Sequence, residues 1–410
     1  PGRENSTRGI QNDLKTFTGD PSMKLIERIV ERHGQLAGWR QDIHAHPELG
    51  FQEERTAALV AERLASFGCE VHTGIGGTGV VGTLEAGSNS GTIGLRADMD
   101  ALPIQEANTF DHRSTHDGRM HACGHDGHTT MLLGAAQYLA ETRQFNGRAH
   151  FVFQPAEEGL GGAKAMVEDG LFQRFPMDAI FGMHNKPGLE TGRFSIRPGP
   201  MMAGGGFFDI TLTGRGAHGA HPESSADPIV AAAQIVSALQ SVVARNVDPQ
   251  DTAVLSVTRL LSGDAYNVIP NGATLGGTVR AFQPATLEFV DKRIGEITRH
   301  IAEGLGVTAD YRFRLIFPPL VNEETATRLA GDVAAAIVSE THLDRNGPGI
   351  MASEDFSYML NECPGAYMNI GNGGEEGYCE VHNPGYDFND EIIPLGATFF
   401  ARLVESRLNA

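Results

Sequence analysis

The sequence predicts an α/β protein: a mostly parallel sheet covered by helices, with a β-α-β-β-α-β domain inserted into it. Three observations carry that reading. At 410 residues the chain exceeds the length at which one hydrophobic core usually stops growing, which favours two domains. Helix and strand patterns alternate up to about Arg193, the rhythm of parallel sheets. Beyond that point the order becomes strand, helix, two strands, helix, strand, the ferredoxin-like arrangement.

Taken in order, residues 1–22 are polar, carry both signs of charge and lack the apolar core of a secretory signal. They are expected to be a disordered leader or cloning extension. A helix-like run begins at Met23 with Leu25, Ile26, Ile29 and Val30. Glu53 to Phe67 reads as an Ala/Leu/Val helix stopped by Gly68. Thr92 to Arg96 reads as a strand that runs into Ala-Asp-Met-Asp. Asp126 to Arg143 is helical in pattern, with Met131, Leu132, Ala135, Ala136 and Leu139 on one face. A strand (Ala149 to Phe153), a helix (Gly162 to Asp169) and a strand (Ala179 to Met183) follow.

The inserted part reads as strand Phe207 to Thr213, helix Asp227 to Arg245, and strands Ala253 to Leu261 and Ala273 to Phe282. Helix Ala285 to Leu305 and strand Thr308 to Ile316 complete it, and Pro318-Pro319 ends it. Helix and strand return from Glu323, including Ala366 to Ile370. The expected domains are therefore 23–193 with 318–410, and 194–317 between them.

Composition excludes more than it names. The chain is 40% hydrophobic and 20% charged, ordinary for a globular protein. Its 51 acidic against 32 basic residues give a net charge of -19, which repels nucleic acid and anionic membranes. No continuous apolar run long enough for a bilayer is read. Cys69, Cys123, Cys363 and Cys379 are too few for a disulfide scaffold, so a cytoplasmic location is expected.

The richest stretch is His121-Ala-Cys-Gly-His-Asp-Gly-His128, just ahead of a helix. Cys123 and His125 are two apart, so on extended chain both point to one side. A thiolate with an imidazole suits a borderline metal such as zinc. The plainer reading is a His-rich helix cap over a buried thiol. Gln154-Pro-Ala-Glu-Glu158 follows a strand directly, and its adjacent carboxylates can divide metal binding from water activation. In isolation an acidic turn opening a helix is the commoner explanation. Gly182-Met-His184-Asn185 and Val381-His382-Asn383-Pro384 add two further histidines. Cys123, His125, Glu157, Glu158 and His184 all fall where strands end, the edge at which open α/β sheets place their sites.

Rival motifs fail. Gly74-Ile-Gly-Gly-Thr-Gly79 matches G-x-G-x-x-G, but Val80 to Glu85 reads as strand where a dinucleotide site needs a helix. No P-loop, H-E-x-x-H, G-x-S-x-G or zinc deaminase signature is present.

In order, Arg96-Ala-Asp-Met-Asp-Ala-Leu-Pro103, His121 to His128, Gln154 to Glu158, Gly182-Met-His184 and His382-Asn-Pro384 resemble the M20 metallopeptidase family. The likeness is to its aminoacylase and hippurate hydrolase branch, which includes the plant auxin-conjugate hydrolases. His44-Ala-His-Pro-Glu-Leu-Gly-Phe-Gln52 looks like the same branch's N-terminal signature. The resemblance implies a di-metal hydrolase domain in which Cys123, His125, Glu158, His184 and His382 hold two divalent ions (zinc, manganese, nickel or cobalt). It makes Glu157 the general base, with Asp98 and Asp100 supporting the ligands from behind.

The inserted domain would be the family's lid and dimerisation domain, giving a homodimer or a higher oligomer. In it Gly214 to Pro222 resembles the segment whose His218 stabilises the oxyanion, often from the partner subunit. Asn267 and Arg280 would grip the substrate carboxylate. One departure is Glu223, which follows Pro222 where this branch usually has His; it bears on substrate preference. The implied activity is metal-dependent hydrolysis of the amide of an N-acyl amino acid, a small-molecule substrate. A dipeptidase or an N-acetyl-diaminopimelate-type deacylase is the alternative. A non-catalytic binding module would be expected to have lost Glu157 or a ligand, and all are present.

Overall fold

The computed structural model describes residues 23–374 and 378–409; the expected leader at 1–22 lies outside them. The chain forms two compact units. The first runs through Gly199 and takes in Val321–Pro348 and the stretch from Tyr358 onward; the second comprises Pro200–Leu320 and Gly349–Ser357. The sequence reading assigns 349–357 to the first domain, and backbone pairing moves it to the second. Ile350 bridges Met202, donating to Met201 O and accepting from Ala203 N, both at 2.9 Å.

The chain opens with helices α1 (His33–Ala45) and α2 (Glu54–Ser66) and strands β1 (Glu70–Ile75), β2 (Gly79–Ala86) and β3 (Thr92–Asp98). Helix α3 (His125–Thr142) and strands β4 (Gly147–Gln154), β5 (Ile180–Pro187) and β6 (Phe194–Ser195) follow. The second unit supplies β7 (Gly204–Thr213), α4 (Pro228–Ser241), β8 (Ala253–Leu261), β9 (Gly272–Ala281), α5 (Pro284–Gly304) and β10 (Thr308–Phe317). The chain then returns through α6 (Glu324–Val338), β11 (Leu343–Asp344), β12 (Gly365–Gly373) and α7 (Ile393–Arg407).

In the first unit the strand order is β1-β2-β4-β3-β5-β12-β6-β11. The central strands β4, β3, β5 and β12 are parallel, and β1 and β2 add an antiparallel edge. Parallel strands covered on both faces are buried throughout, as β3 is from Ile93 to its end, and Arg96 and Asp98 are the charged residues that this burial forces to pair. Helix α3 is buried on all sides from His125 to Ala136 and packs against α1, α7 and β3. Each buried Leu or Met there contributes about 1.5–3 kcal/mol. Helix α2 shows the simpler pattern, with Thr56, Val60 and Leu64 buried at every fourth position. Gly68, at φ 83°, then turns the chain into β1.

Register matters for the site. Asp98 pairs with Gln154, and Arg96 with Gly182, so Asp98, Gln154 and His184 stand level at the carboxyl edge. Strand β5 runs on to Pro187, so His184 lies within the strand rather than after it. The Gly74–Gly79 stretch makes the β1–β2 hairpin, with strand rather than helix following.

In the second unit the order β8-β9-β7-β10 is antiparallel throughout. Strand β7 alternates, turning Phe208, Ile210 and Leu212 into a core with Ala231, Ile235, Val290 and Ile294 from α4 and α5. The span Pro228–Asn246 is long and apolar enough to cross a membrane (mean hydropathy 1.3), a run the sequence reading does not register. Its Ala231, Ala232, Ile235, Leu239 and Val242 are buried in this core, while Ile229 and Val230 on the other face are exposed.

Candidate metal centre

Three parallel strand ends and one helix start converge in the first unit. Cys123 approaches α3 through Gly124, whose φ of 95° is left-handed. A Cβ at that position would run into Asn185 and Tyr386, so only glycine fits. This turn, rather than the extended chain expected from the sequence, brings Cys123 round to face His125. The ligand atoms of Cys123, His125 and His184 lie within 4.8 Å of one another, and so do those of Cys123, Glu158 and His382. The two triads share one sulfur. Cys123 Sγ is 3.3 Å from His184 Nε2, and His382 Nε2 is 3.1 Å from Glu158 Oε1. His382 reaches the group from an exposed loop anchored by its own N–H, which donates to Ala122 O at 2.6 Å. Glu157 is buried and groups with His125 and Glu158.

Hydrogen bonds orient the imidazoles. His125 Nδ1 lies 2.9 Å from Asp100 O and 3.1 Å from Asp100 Oδ1. A carbonyl only accepts, so Nδ1 carries the proton and Nε2 presents its lone pair to the cluster. That Nε2 is buried and finds no partner among the described residues; Asp98 Oδ2 at 3.8 Å is out of reach. His184 Nδ1 likewise donates to Asn185 O at 2.6 Å, leaving Nε2 towards Cys123. A histidine that donates through one nitrogen and offers the other is the tautomer a cation needs.

The charges fit the same purpose. Burial opposes charge on His125, but Asp98 and the bond to Asp100 outweigh it and raise its pKa to about 10, so without a cation Nε2 holds a second proton, which a metal would displace from the same lone pair. Burial and the neighbouring His128 hold His184 neutral, well below the usual range. Burial and the charges of Glu158 and Glu157 push the Cys123 thiol well up, so its thiolate calls for an adjacent cation. Burial works against ionised Asp98, yet His125, Arg96 and His128 keep it well below the carboxylate range. An orphaned imidazole nitrogen, a thiol starved of positive charge and flanking carboxylates together suit divalent metal.

Several residues of this site carry no role in the sequence reading. His128 Nδ1 bonds Asp98 Oδ1 at 2.6 Å, and its Nε2 lies 2.7 Å from Asn185 Oδ1. Asn185 Nδ2 donates to Tyr386 Oη at 2.6 Å, and Arg96 ties Asp98 (2.8 Å) to Gln154 (2.7 Å). His128 and Asn185 stand inside the quoted motifs, so their positions were visible although their task was not. All four cysteines are free.

In the second unit His218 lies on a two-residue strand paired with Val268–Ile269, where Gly219 N donates to Asn267 O at 2.8 Å. His218 and Asn267, both expected in the site from the sequence, are therefore neighbours, and both are exposed. His218 Nδ1 accepts from Ala220 N at 3.1 Å, so in the neutral ring Nε2 carries the proton outward. Arg280 is on β9 instead, half-buried, donating to Val279 O at 2.9 Å with its guanidinium 5.8 Å from the Phe207 ring. Glu223 pairs with His221 at 3.3 Å on the surface.

The model of peptidase family M20/M25/M40 matches residues 94–406. The chain belongs to the M20 peptidase family. Among its relatives is a hippurate hydrolase of Campylobacter jejuni, 44% identical, covering 93% of this chain and 98% of that protein. An N-acetylcysteine deacetylase of Bacillus subtilis is 38% identical over 90% of this chain and 96% of its own. A solved dinuclear metal binding M20 peptidase from Bacillus subtilis superposes with a TM-score of 0.81 at 34% identity, covering 92% of this chain and 99% of that one. As this M20 membership implies, the protein is a hydrolase acting on amides.

Proposed function

We propose that the protein hydrolyses the amide bond of N-acyl amino acids, with two divalent ions held by Cys123, His125, Glu158, His184 and His382. The observation that carries this reading is the pair of ligand triads sharing Cys123 Sγ, with buried Glu157 beside them. The relatives named for hippurate and N-acetylcysteine support the substrate class. A cysteine in the set favours zinc; manganese, cobalt and nickel accept the same donors.

When bound, such ions supply Lewis acidity and lower the pKa of a water towards neutrality. Glu157 takes the proton of the attacking water and returns it to the leaving amine, which is too basic to leave unprotonated. Asp100 and Asn185 O hold His125 and His184 in the metal-facing tautomer. From the second unit, His218 offers Nε2–H to the developing oxyanion, and Arg280 with Asn267 takes the substrate carboxylate. The β8 edge of that unit exposes Val254, Leu260 and Leu261, which supports a homodimer paired there.

The test is a panel of N-acyl amino acids and dipeptides assayed with defined metals. N-acyl amino acids are expected to be turned over fastest, with chelation abolishing activity and metal restoring it. Full turnover by protein shown metal-free by elemental analysis would sink the reading. Faster cleavage of dipeptides would support the second one, a dipeptidase, which the peptidase among the structural relatives favours.

A further inference from the structure

One buried carboxylate beside the centre has no part in the proposed chemistry. Glu53, just before α2, is fully buried. Its Oε1 accepts from Ala156 N at 2.8 Å, and its Oε2 accepts from the Thr78 hydroxyl. Ala156 sits at φ 52°, a left-handed conformation that its Cβ disfavours. It immediately precedes Glu157 and Glu158. The same turn is held further along by Glu158 N, which donates to Asp100 Oδ2, and by Gly162 N, which donates to Ala156 O, each at 3.0 Å. The loop leading to Glu53 comes close because Gly50 lacks a side chain: a Cβ there would stand 3.0 Å from Ala156 Cα and Cβ. Burying a carboxylate is unfavourable unless it accepts hydrogen bonds, and this one accepts from the backbone of the turn.

We propose that Glu53 is a positioning residue, whose bond to the Ala156 amide fixes the left-handed turn from which Glu157 and Glu158 project. The assignment rests on the roles given above to those two residues. Only hydrogen-bond acceptance is asked of Glu53, not its charge. An amide of the same length can still accept from Ala156 N, with the Thr78 hydroxyl turning to accept from its NH2, whereas a shorter side chain cannot reach the turn.

The experiment compares wild type with Glu53→Gln, Glu53→Asp and Glu53→Ala. Readouts are kcat and KM on an N-acyl amino acid, zinc retention against a competing chelator, and thermal unfolding. Glu53→Gln is expected within about threefold of wild type in kcat and zinc retention. Glu53→Asp and Glu53→Ala should each lose about tenfold or more in kcat at near-constant KM, with weaker zinc retention, as supports of metal ligands do. A purely structural role would lower the unfolding temperature and leave kcat and zinc retention of the folded protein alone; that outcome overturns the proposal. So does Glu53→Gln falling as far as Glu53→Asp, or Glu53→Asp matching wild type. These two variants decide the matter even where Glu53→Ala fails to fold. Wild type separates the two readings: if it neither binds zinc nor cleaves the substrate, the functional reading has failed. If it does both and the short variants do too, only the role of Glu53 has failed.

Discussion

His125 and Asp100 are joined twice at one nitrogen: Nδ1 lies 2.9 Å from the Asp100 carbonyl oxygen and 3.1 Å from its carboxylate. The carbonyl survives any substitution of the side chain, but the carboxylate does not, and its other oxygen also holds Glu158 N. Asp100→Ala is therefore predicted to weaken metal retention about 10–100-fold without unfolding the chain. Competition with a chelator, read beside a thermal melt, measures it. Unchanged retention would show that the carbonyl alone orients His125.

Glu157 and Glu158 are adjacent, yet Glu158 alone falls in the triad with Cys123 and His382. Glu157→Gln is predicted to keep its metal and to lose about 10²-fold or more in turnover, the effect of removing a general base. Glu158→Gln is predicted to lose metal first. Elemental analysis of both variants checks the division of labour; metal lost from Glu157→Gln and kept by Glu158→Gln would reverse it.

Stability should depend on pH through a buried histidine outside the proposed ligand set. His44 Nδ1 lies 2.8 Å from Asp126 Oδ2, and Nε2 lies 3.2 Å from Glu106 Oε1. Burial opposes its charge, but these bonds raise its pKa from 6.5 to about 9. With the folded pKa above the unfolded one, the contribution is complete below about pH 6.5 and is lost as pH rises through about 9. The gap in unfolding temperature between wild type and His44→Gln is thus expected to shrink from pH 6 to pH 9.5. A gap that widens over that range would contradict the assignment.

For His218 the expectation is complementation between subunits. Chains carrying His218→Ala and chains carrying Glu157→Gln should each be nearly inactive. Mixed dimers would hold one site with both residues intact and should recover activity. Subunit exchange has to be demonstrated by mass spectrometry of tagged chains. Verified mixed dimers that stay inactive would confine His218 to its own subunit.

What could be read from the sequence followed hydrophobic period. Helix α2 and the β-α-β-β-α-β unit were legible because their buried positions are apolar at the right spacing. Helix α1 was not, since its buried face is Leu36, Trp39, Arg40, Ile43 and His44. Spacing there is helical, but an arginine and a histidine interrupt the stripe; Arg40 is neutralised by Asp387 at 2.7 Å and Asp390 at 2.6 Å, far along the chain. In the site, strand ends gathered Cys123, His125, Glu157, Glu158 and His184, and the resemblance to M20 motifs supplied the proposed five-ligand set with His382. The orienting bonds stayed hidden. Asp100 acts partly through its backbone carbonyl, Glu53 looked like an ordinary acidic residue at a helix start, and the turn at Gly124 replaced an extended segment.

The bond from His382 N to Ala122 O carries a consequence for biosynthesis. Cys123, His125, Glu158 and His184 leave the ribosome before the second unit is made, and His382 leaves after it. At about 5–20 residues per second, the interval between the first and last of these side chains is on the order of tens of seconds. Throughout it the nascent chain carries a buried-to-be thiol and two histidines without their final partner. Under the proposed ligand set, closure of the centre is among the last events in the life of the growing polypeptide, and an ion held earlier would be held by an incomplete set.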